Sequence, residues 1–274
     1  MIPGVKLLVE PMKDKSGKLV GPNATSSKYQ TPKCEFSAKL LRVDEQHLNE
    51  CYVPTWVGAH PSLGESLARA IIDRHVIRPI PGWEGESFTS VQSQVVINDH
   101  TRADFVLNSI TKKGSKHSRR IVEVKTVVDT DYCASWPVPE KAKCVFTSTR
   151  EPYQRTAIFP WGQSQQSGPD GEKVVSARAI KHVKELTDMV VLNQKKDNCG
   201  SIENPITSAT ILFLVNRGDA SRFRPNHEAC PSFAKYMKAA RDSGVHILAK
   251  KVRWDETHIG TCFEEEWLEI DYEV

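Results

Sequence analysis

Apolar residues at Leu63, Leu67, Ala70 and Ile71 fall at i, i+4, i+7 and i+8, and this stripe predicts an amphipathic helix over SLGESLARAIIDRH. Ser62 and Glu65 have the S-x-x-E spacing of a capping box at its start. A second stripe, Ile180, Val183, Leu186 and Val190, predicts a helix over residues 176–192, with Arg178, Lys181 and His182 on its polar side. PSFAKYMKAARDSG (231–244) predicts a third helix, stopped by Gly244. Elsewhere the pattern is that of strands. SVQSQVVIND (90–99) and RADFVLNSI (102–110) predict a pair turning around Asn98, Asp99 and His100, and β-branched IVEVKTVV (121–128) predicts their neighbour. ATILFLVN (209–216) is apolar throughout, the mark of a strand buried on both faces, and VHILAKKVRW (245–254) is the last core strand. Between them lies an irregular stretch, 129–175, holding a short strand at AIFPW (157–161) and a surface insertion at QSQQSGPDGEK.

The order of these elements gives an α/β fold with a mixed sheet, its second half linked by right-handed parallel crossovers. Residues 1–50, with short extended pieces at VKLLVE and CEFSAKLLRV, hold too little apolar material to fold alone and form a small β unit leaning on residues 51–274.

Composition narrows the classes. The chain has 274 residues, 39% apolar and 26% charged, with no apolar run near the ~20 residues that cross a bilayer, so no membrane partner is expected. Its start lacks the pattern of a signal peptide, and seven cysteines without a C-x-x-C pair fit a reducing intracellular compartment. Whether that is cytoplasm, nucleus or organelle is left open. The net charge of +3 is an average over unlike parts: EEEWLEIDYEV, from Glu264, carries six acids and no base, leaving about +9 on the rest. Such a surplus suits a polyanionic partner.

The period of two puts Glu123 and Lys125 on one face of their strand, with Val122, Val124 and Thr126 on the other. If 102–110 and 121–128 pair as a hairpin, Asp104 joins them. Two carboxylates from adjacent strands can hold Mg²⁺ or Mn²⁺ through oxygen, and a lysine beside them can orient water or neutralise transition-state charge on a phosphodiester. An aspartate, about twenty residues, then E-x-K is the loose signature of the PD-(D/E)xK phosphodiesterases. The bland alternative is an edge strand with a solvated Glu–Lys face, against which stand the apolar flanks Phe105, Val106, Leu107, Ile121, Val122 and Val124.

WVGAHPSLGESLARAII, RADF, EVKTV, AIFP, SARAIKHVKEL, ILFLVNRGDASRFRPN and FAKYMKAARDSGVHILA run in the order of the sugar fermentation stimulation protein A (SfsA) family, which the chain resembles over about residues 52–128, 157–161 and 175–253. The resemblance implies a mixed-sheet α/β/α PD-(D/E)xK restriction-endonuclease-like core in residues 51–274, ending in the acidic segment. It also implies a partial OB-like β unit in residues 1–50. It further implies a non-sequence-specific DNA-binding protein, RNA being a second option, tied to sugar metabolism, with a Mg²⁺- or Mn²⁺-dependent nuclease site. Asp104 and Glu123 take the metal and catalytic places, Lys125 the catalytic lysine, and Arg178, Lys181 and His182 a basic helix near the phosphate path. Arg69 stands where the family has a helix glutamate, which Glu65 could replace one turn earlier. The family's FPDA becomes Phe159-Pro160-Trp161-Gly162, and a family glycine becomes Ala179. The basic connector TKKGSKHSRR, with Lys112, Lys113, Lys116 and Arg119, and Arg102 beside it, is either a backbone clamp or a soluble hairpin tip. Arg217, Asp219, Arg222 and Arg224 are expected to form a structural ion-pair cluster. The rival reading is a non-catalytic regulator that keeps the fold, its acidic tail mimicking nucleic acid or covering its own basic surface.

Overall fold

The computed structural model describes residues 4–272 except 51, 85, 99–100, 111–116, 139–144, 164 and 197–205. Three antiparallel strands, β1 (Leu7–Pro11), β2 (Phe36–Val43) and β3 (Thr55–Gly58), form an N-terminal sheet that takes in residues beyond 50. Leu40 and Trp56 of this sheet pack on Trp254, tying it to the main body.

Helix α1 (Ser62–Asp73) leads to β4 (Phe88–Asn98), β5 (Thr101–Ile110) and β6 (His117–Val127). Four short strands, β7 (Tyr132–Cys133), β8 (Thr147–Ser148), β10 (Gln166–Ser167) and β11 (Lys173–Val174), surround β9 (Thr156–Phe159). Then follow α2 (Ala177–Lys196), β12 (Ile206–Val215), β13 (Arg222–Pro225), α3 (Pro231–Asp242), β14 (His246–Trp254) and β15 (Cys262–Trp267). The main sheet has the order β15-β14-β12-β6-β5-β4. β6, β12 and β14 run parallel, while β4–β5–β6 and β14–β15 are antiparallel.

This is the mixed α/β sheet that the element order predicts. The apolar run of β12 serves both faces: Ile211, Phe213 and Val215 pack towards α2 and α3, and Leu212 and Leu214 towards α1. Ile180, Val183, Leu186 and Val190, the predicted stripe of α2, are all buried there. Each such side chain contributes roughly 1.5–3 kcal/mol relative to exposure. α1 lies so close over β6 that a Cβ on Gly64 would stand 2.0 Å from Thr126 Oγ1, which requires glycine at that point.

Two expectations change. The capping box does not form: the helix begins at Ser62 itself, with Pro61 at the cap and no side-chain cap bond, and Ser62 Oγ pairs with His60 Nδ1 at 2.6 Å. Glu65 therefore has no capping duty and is exposed on the first turn. The acidic segment, expected either to mimic nucleic acid or to cover the chain's own basic surface, is built into the sheet and pairs with the chain's own basic residues. Its start is β15, the sheet's edge strand, and Glu264, Glu265 and Glu266 pair with Lys250, Arg253 and Lys251 of β14, while Glu269 and Asp271 pair with Arg222 and Arg150. Opposite charges on adjacent strands neutralise each other, so the basic surplus is partly spent inside the fold.

The expected ion-pair cluster exists with other members. Asp219 joins Arg217 and Arg155, and Arg155 also joins Glu45, whereas Arg222 pairs with Glu269 and Arg224 with Asp131 and Glu228. Just past β6, burial lifts the Asp129 carboxyl from its ordinary 3.8 to about 6, against the pull of Arg217. A raised folded-state pKa favours the native state only while the group is protonated, and that advantage is lost as pH rises from about 4 through 6. Asp129→Asn is thus expected to leave stability unchanged near pH 4 and to raise it by ~1–3 kcal/mol at pH 7.5, as read by denaturant unfolding at the two pH values.

Candidate functional site: a carboxylate notch beside a basic cavity

β5 and β6 pair in register from Ile110↔His117 to Phe105↔Val122 and then part. The next facing residues are Asp104 and Glu123. At this point the Val124 N–H turns from the ladder and donates to Asp104 Oδ2 at 2.8 Å. The strands thus splay into a notch between Asp104 and the Glu123–Lys125 pair. β5 stays joined to β4 here, and β6 to β12.

Alternation fixes which side of the sheet these groups occupy. Ile121 and Val127 of β6 face the α2–α3 core and Val122 faces the α1 core, so Glu123 and Lys125 point towards α2. There Lys125 Nζ donates to Glu123 Oε1 at 2.6 Å. His182, from the polar side of α2, reaches the same oxygen through Nδ1. An ionised carboxylate only accepts, so Nδ1 carries the proton and Nε2 is left as an acceptor, 3.5 Å from Arg178 Nε.

Electrostatics separates the two carboxylates. Glu123 is 5% exposed. Burial acts to raise its pKa, but the His182 hydrogen bond and the Lys125 ammonium outweigh that, and it titrates below an ordinary glutamate. Asp104 goes the other way. Burial raises it first and the Glu123 charge second, against the Val124 N–H and Lys125, with a minor rise from Glu65.

The hairpin expected to join Asp104 with Glu123 and Lys125 is therefore present. Arg102, Arg178, Lys181 and His182 also come together, around a cavity of about 500 Å³ whose far wall includes Ser167 and Pro169. Arg178 and Lys181 are exposed, and Lys181 stands 3.6 Å from Glu185. Arg119 does not join them. It pairs with Asn108 at the other end of the hairpin, four residues or about 13 Å along β6 from Glu123. Lys112, Lys113 and Lys116 lie outside the described residues. Arg69 pairs with Asp73 on α1.

Two contributors were not read from sequence. Gln94 of β4 donates from Nε2 to Asp104 Oδ1 at 3.2 Å. The β10–β11 hairpin, read as a mere insertion, walls the basic cavity and caps α2, since Gln166 Oε1 accepts from the Ala177 N–H at 3.0 Å. Neither carries a local signal: a glutamine on a strand and a polar hairpin are common.

Could a cation fit here? Among the described residues no three His, Cys, Asp or Glu side chains group closely enough to cage one. Magnesium does not need a cage: one or two carboxylates plus waters and substrate phosphates commonly hold it. Asp104 and Glu123 make such a pair, and Glu123 Oε2 accepts no hydrogen bond among the described residues. The donor set fits a hard cation shared with a phosphate.

Comparison with known proteins gives a consistent answer. A family model described as the sugar fermentation stimulation protein RE domain matches residues 169–258, a span from the basic cavity through α2 to β14 that leaves out the carboxylate notch. Sugar fermentation stimulation protein homologues are similar over most of the chain. That of Cyanothece sp. (strain PCC 7425) is 23% identical over 249 residues, 90% of this chain and 80% of its own. That of Picosynechococcus sp. (strain PCC 7002) is 24% identical over 282 residues, 96% and 88% respectively. The solved structure of Pyrococcus furiosus SfsA in complex with Ca²⁺ superposes with a TM-score of 0.54 at 17% identity, over 92% of this chain and 84% of that one.

Proposed function

We propose that this chain, similar to the sugar fermentation stimulation proteins, is a member of that family that binds DNA through its phosphates, without sequence preference, and cleaves it with Mg²⁺ or Mn²⁺ at the Asp104–Glu123–Lys125 notch. The observation that carries the reading is the basic cavity formed by Arg102, Arg178 and Lys181, with His182 linking it directly to Glu123. Cations beside paired carboxylates suit a phosphodiester: the first hold the polyanion and the second the divalent ion. The Ca²⁺ held by the Pyrococcus relative is also a hard, oxygen-seeking cation.

In this reading Asp104 and Glu123 hold the cation. When bound, it polarises the phosphodiester and lowers the pKa of an attacking water. Lys125, 2.6 Å from Glu123, orients that water or offsets charge gathering on the phosphate oxygens. His182 and Lys125 together keep Glu123 ionised. Arg102, Arg178 and Lys181 align the backbone and, meeting only phosphates, read no bases. RNA would meet the same groups.

One observation favours a second reading, DNA binding without cleavage in a regulator: protein donors already occupy Glu123 Oε1 and both oxygens of Asp104. Plasmid and single-stranded DNA, incubated with the protein and Mg²⁺ or Mn²⁺, separate the two. Nicking that EDTA abolishes is the expected result. Retention of DNA at low salt without nicking would leave the regulator reading, and no retention would end both.

A further inference from the structure

We infer that Gln94 is a positioning residue for Asp104, kept in a strained backbone conformation because its amide fixes that carboxylate and links it to the phosphate-facing Arg102. The inference rests on the nuclease reading above and concerns a residue that this reading does not require.

In β4, Ser93 pairs with Phe105 and Val95 with Ala103, so Gln94 lies across from Asp104. The strand is continuous on both sides, yet Gln94 has φ 55°, in the left-handed region. A long side chain there costs of order 1–3 kcal/mol, while glycine adopts that conformation freely. The other non-glycine residue with positive φ among those described, Gln30, sits outside any strand, where such turns are ordinary. In the middle of a strand the strain needs an offset.

Two hydrogen bonds supply it. The side chain donates from Nε2 to Asp104 Oδ1 at 3.2 Å, and the Gln94 carbonyl accepts from Arg102 Nε at 3.2 Å. With the Val124 N–H on Oδ2 at 2.8 Å, both oxygens of Asp104 are directed by fixed donors. Among the described residues Arg102 is anchored through Nε, and its two Nη groups are offered to a phosphate in the cavity it lines. A single residue thus joins the carboxylate that would hold the cation to the guanidinium that would hold the polyanion. Glutamine suits the place because it donates; a glutamate there would set a like charge against Asp104.

Two variants test this in the full-length chain. Gln94→Gly relieves the backbone and keeps the carbonyl on Arg102, removing only the amide from Asp104. Gln94→Met keeps the strain and the bulk without the donor. The expected result is a melting temperature for Gln94→Gly equal to wild type or up to ~3 °C higher. Its affinity for Mn²⁺ alone, titrated without DNA, should fall about 10-fold, as an outer partner of a metal ligand does. Gln94→Met should show the same loss with no thermal gain. Cleavage by both should lose kcat while KM for DNA holds. Gln94→Gly binding Mn²⁺ as tightly as wild type would overturn the role of Gln94, as would a melting temperature well below wild type. Wild-type protein that takes up no Mn²⁺ would instead sink the nuclease reading itself, and with it this proposal.

Discussion

Asp104→Asn and Lys125→Met are each expected to cut Mn²⁺-dependent nicking of plasmid DNA at least ~10²-fold while leaving DNA retention at low salt within about twofold. The choice of substitution matters. Asp104→Ala would leave the Val124 N–H without its acceptor, at a cost of about 1–3 kcal/mol, and would confuse folding with chemistry. Asparagine keeps an oxygen for that N–H and removes the charge the cation needs. Lys125→Met keeps the apolar stem in a site where the lysine side chain is only 13% exposed. Glu123 then retains His182 as its donor, so the carboxylate is not stranded. Far-UV and thermal unfolding profiles like wild type must accompany the loss. Unchanged nicking by either variant would mean that the notch is not where DNA is cut.

The second large effect concerns binding. Arg102→Gln, Arg178→Gln and Lys181→Gln combined should weaken DNA binding by about 10-fold or more at low salt, equally for unrelated sequences. Each lost phosphate contact should also make the plot of log K against log salt shallower by about 0.9 for duplex. A drop of roughly 2–3 in slope identifies three direct contacts. A drop near zero would show the cavity to be a solvated face, as basic helix surfaces often are. His182 stays wild type in this test because it also holds Glu123, and changing it would mix the two effects.

The reading of β6 from alternation alone put Glu123 and Lys125 on one face and named Asp104 as their neighbour, and these residues do meet at the point where β5 leaves β6. The four-residue stripe of α2 told which side of that helix would be buried. The ordered motifs resemble the family whose model matches residues 169–258 and whose homologues are similar over most of the chain. Other readings failed for reasons no local pattern holds. Ser62 and Glu65 have capping-box spacing, but the chain enters α1 in helical conformation already at Pro61, which leaves Ser62 inside the helix. The acidic run from Glu264 reads as a tail that mimics nucleic acid or covers the chain's own basic surface, yet it opens as an edge strand: its partners on β14 are set by sheet register, which charge content alone cannot reveal.

What the sequence determined by itself was therefore what depends on a repeat of two or 3.6 residues. It settled which residues share a face, which strand is central, and that three charged groups stand on otherwise apolar strands. Only the tertiary structure decided what touches those groups. His182 reaches Glu123 across 59 positions of chain. Gln94 reaches Asp104 because β4 and β5 keep register through a left-handed residue. Arg102 meets Arg178 and Lys181 because α2 packs over the sheet beside the β10–β11 hairpin. Periodicity follows from backbone geometry and is written locally, whereas the partners of a side chain follow from how whole faces pack to bury their apolar surface.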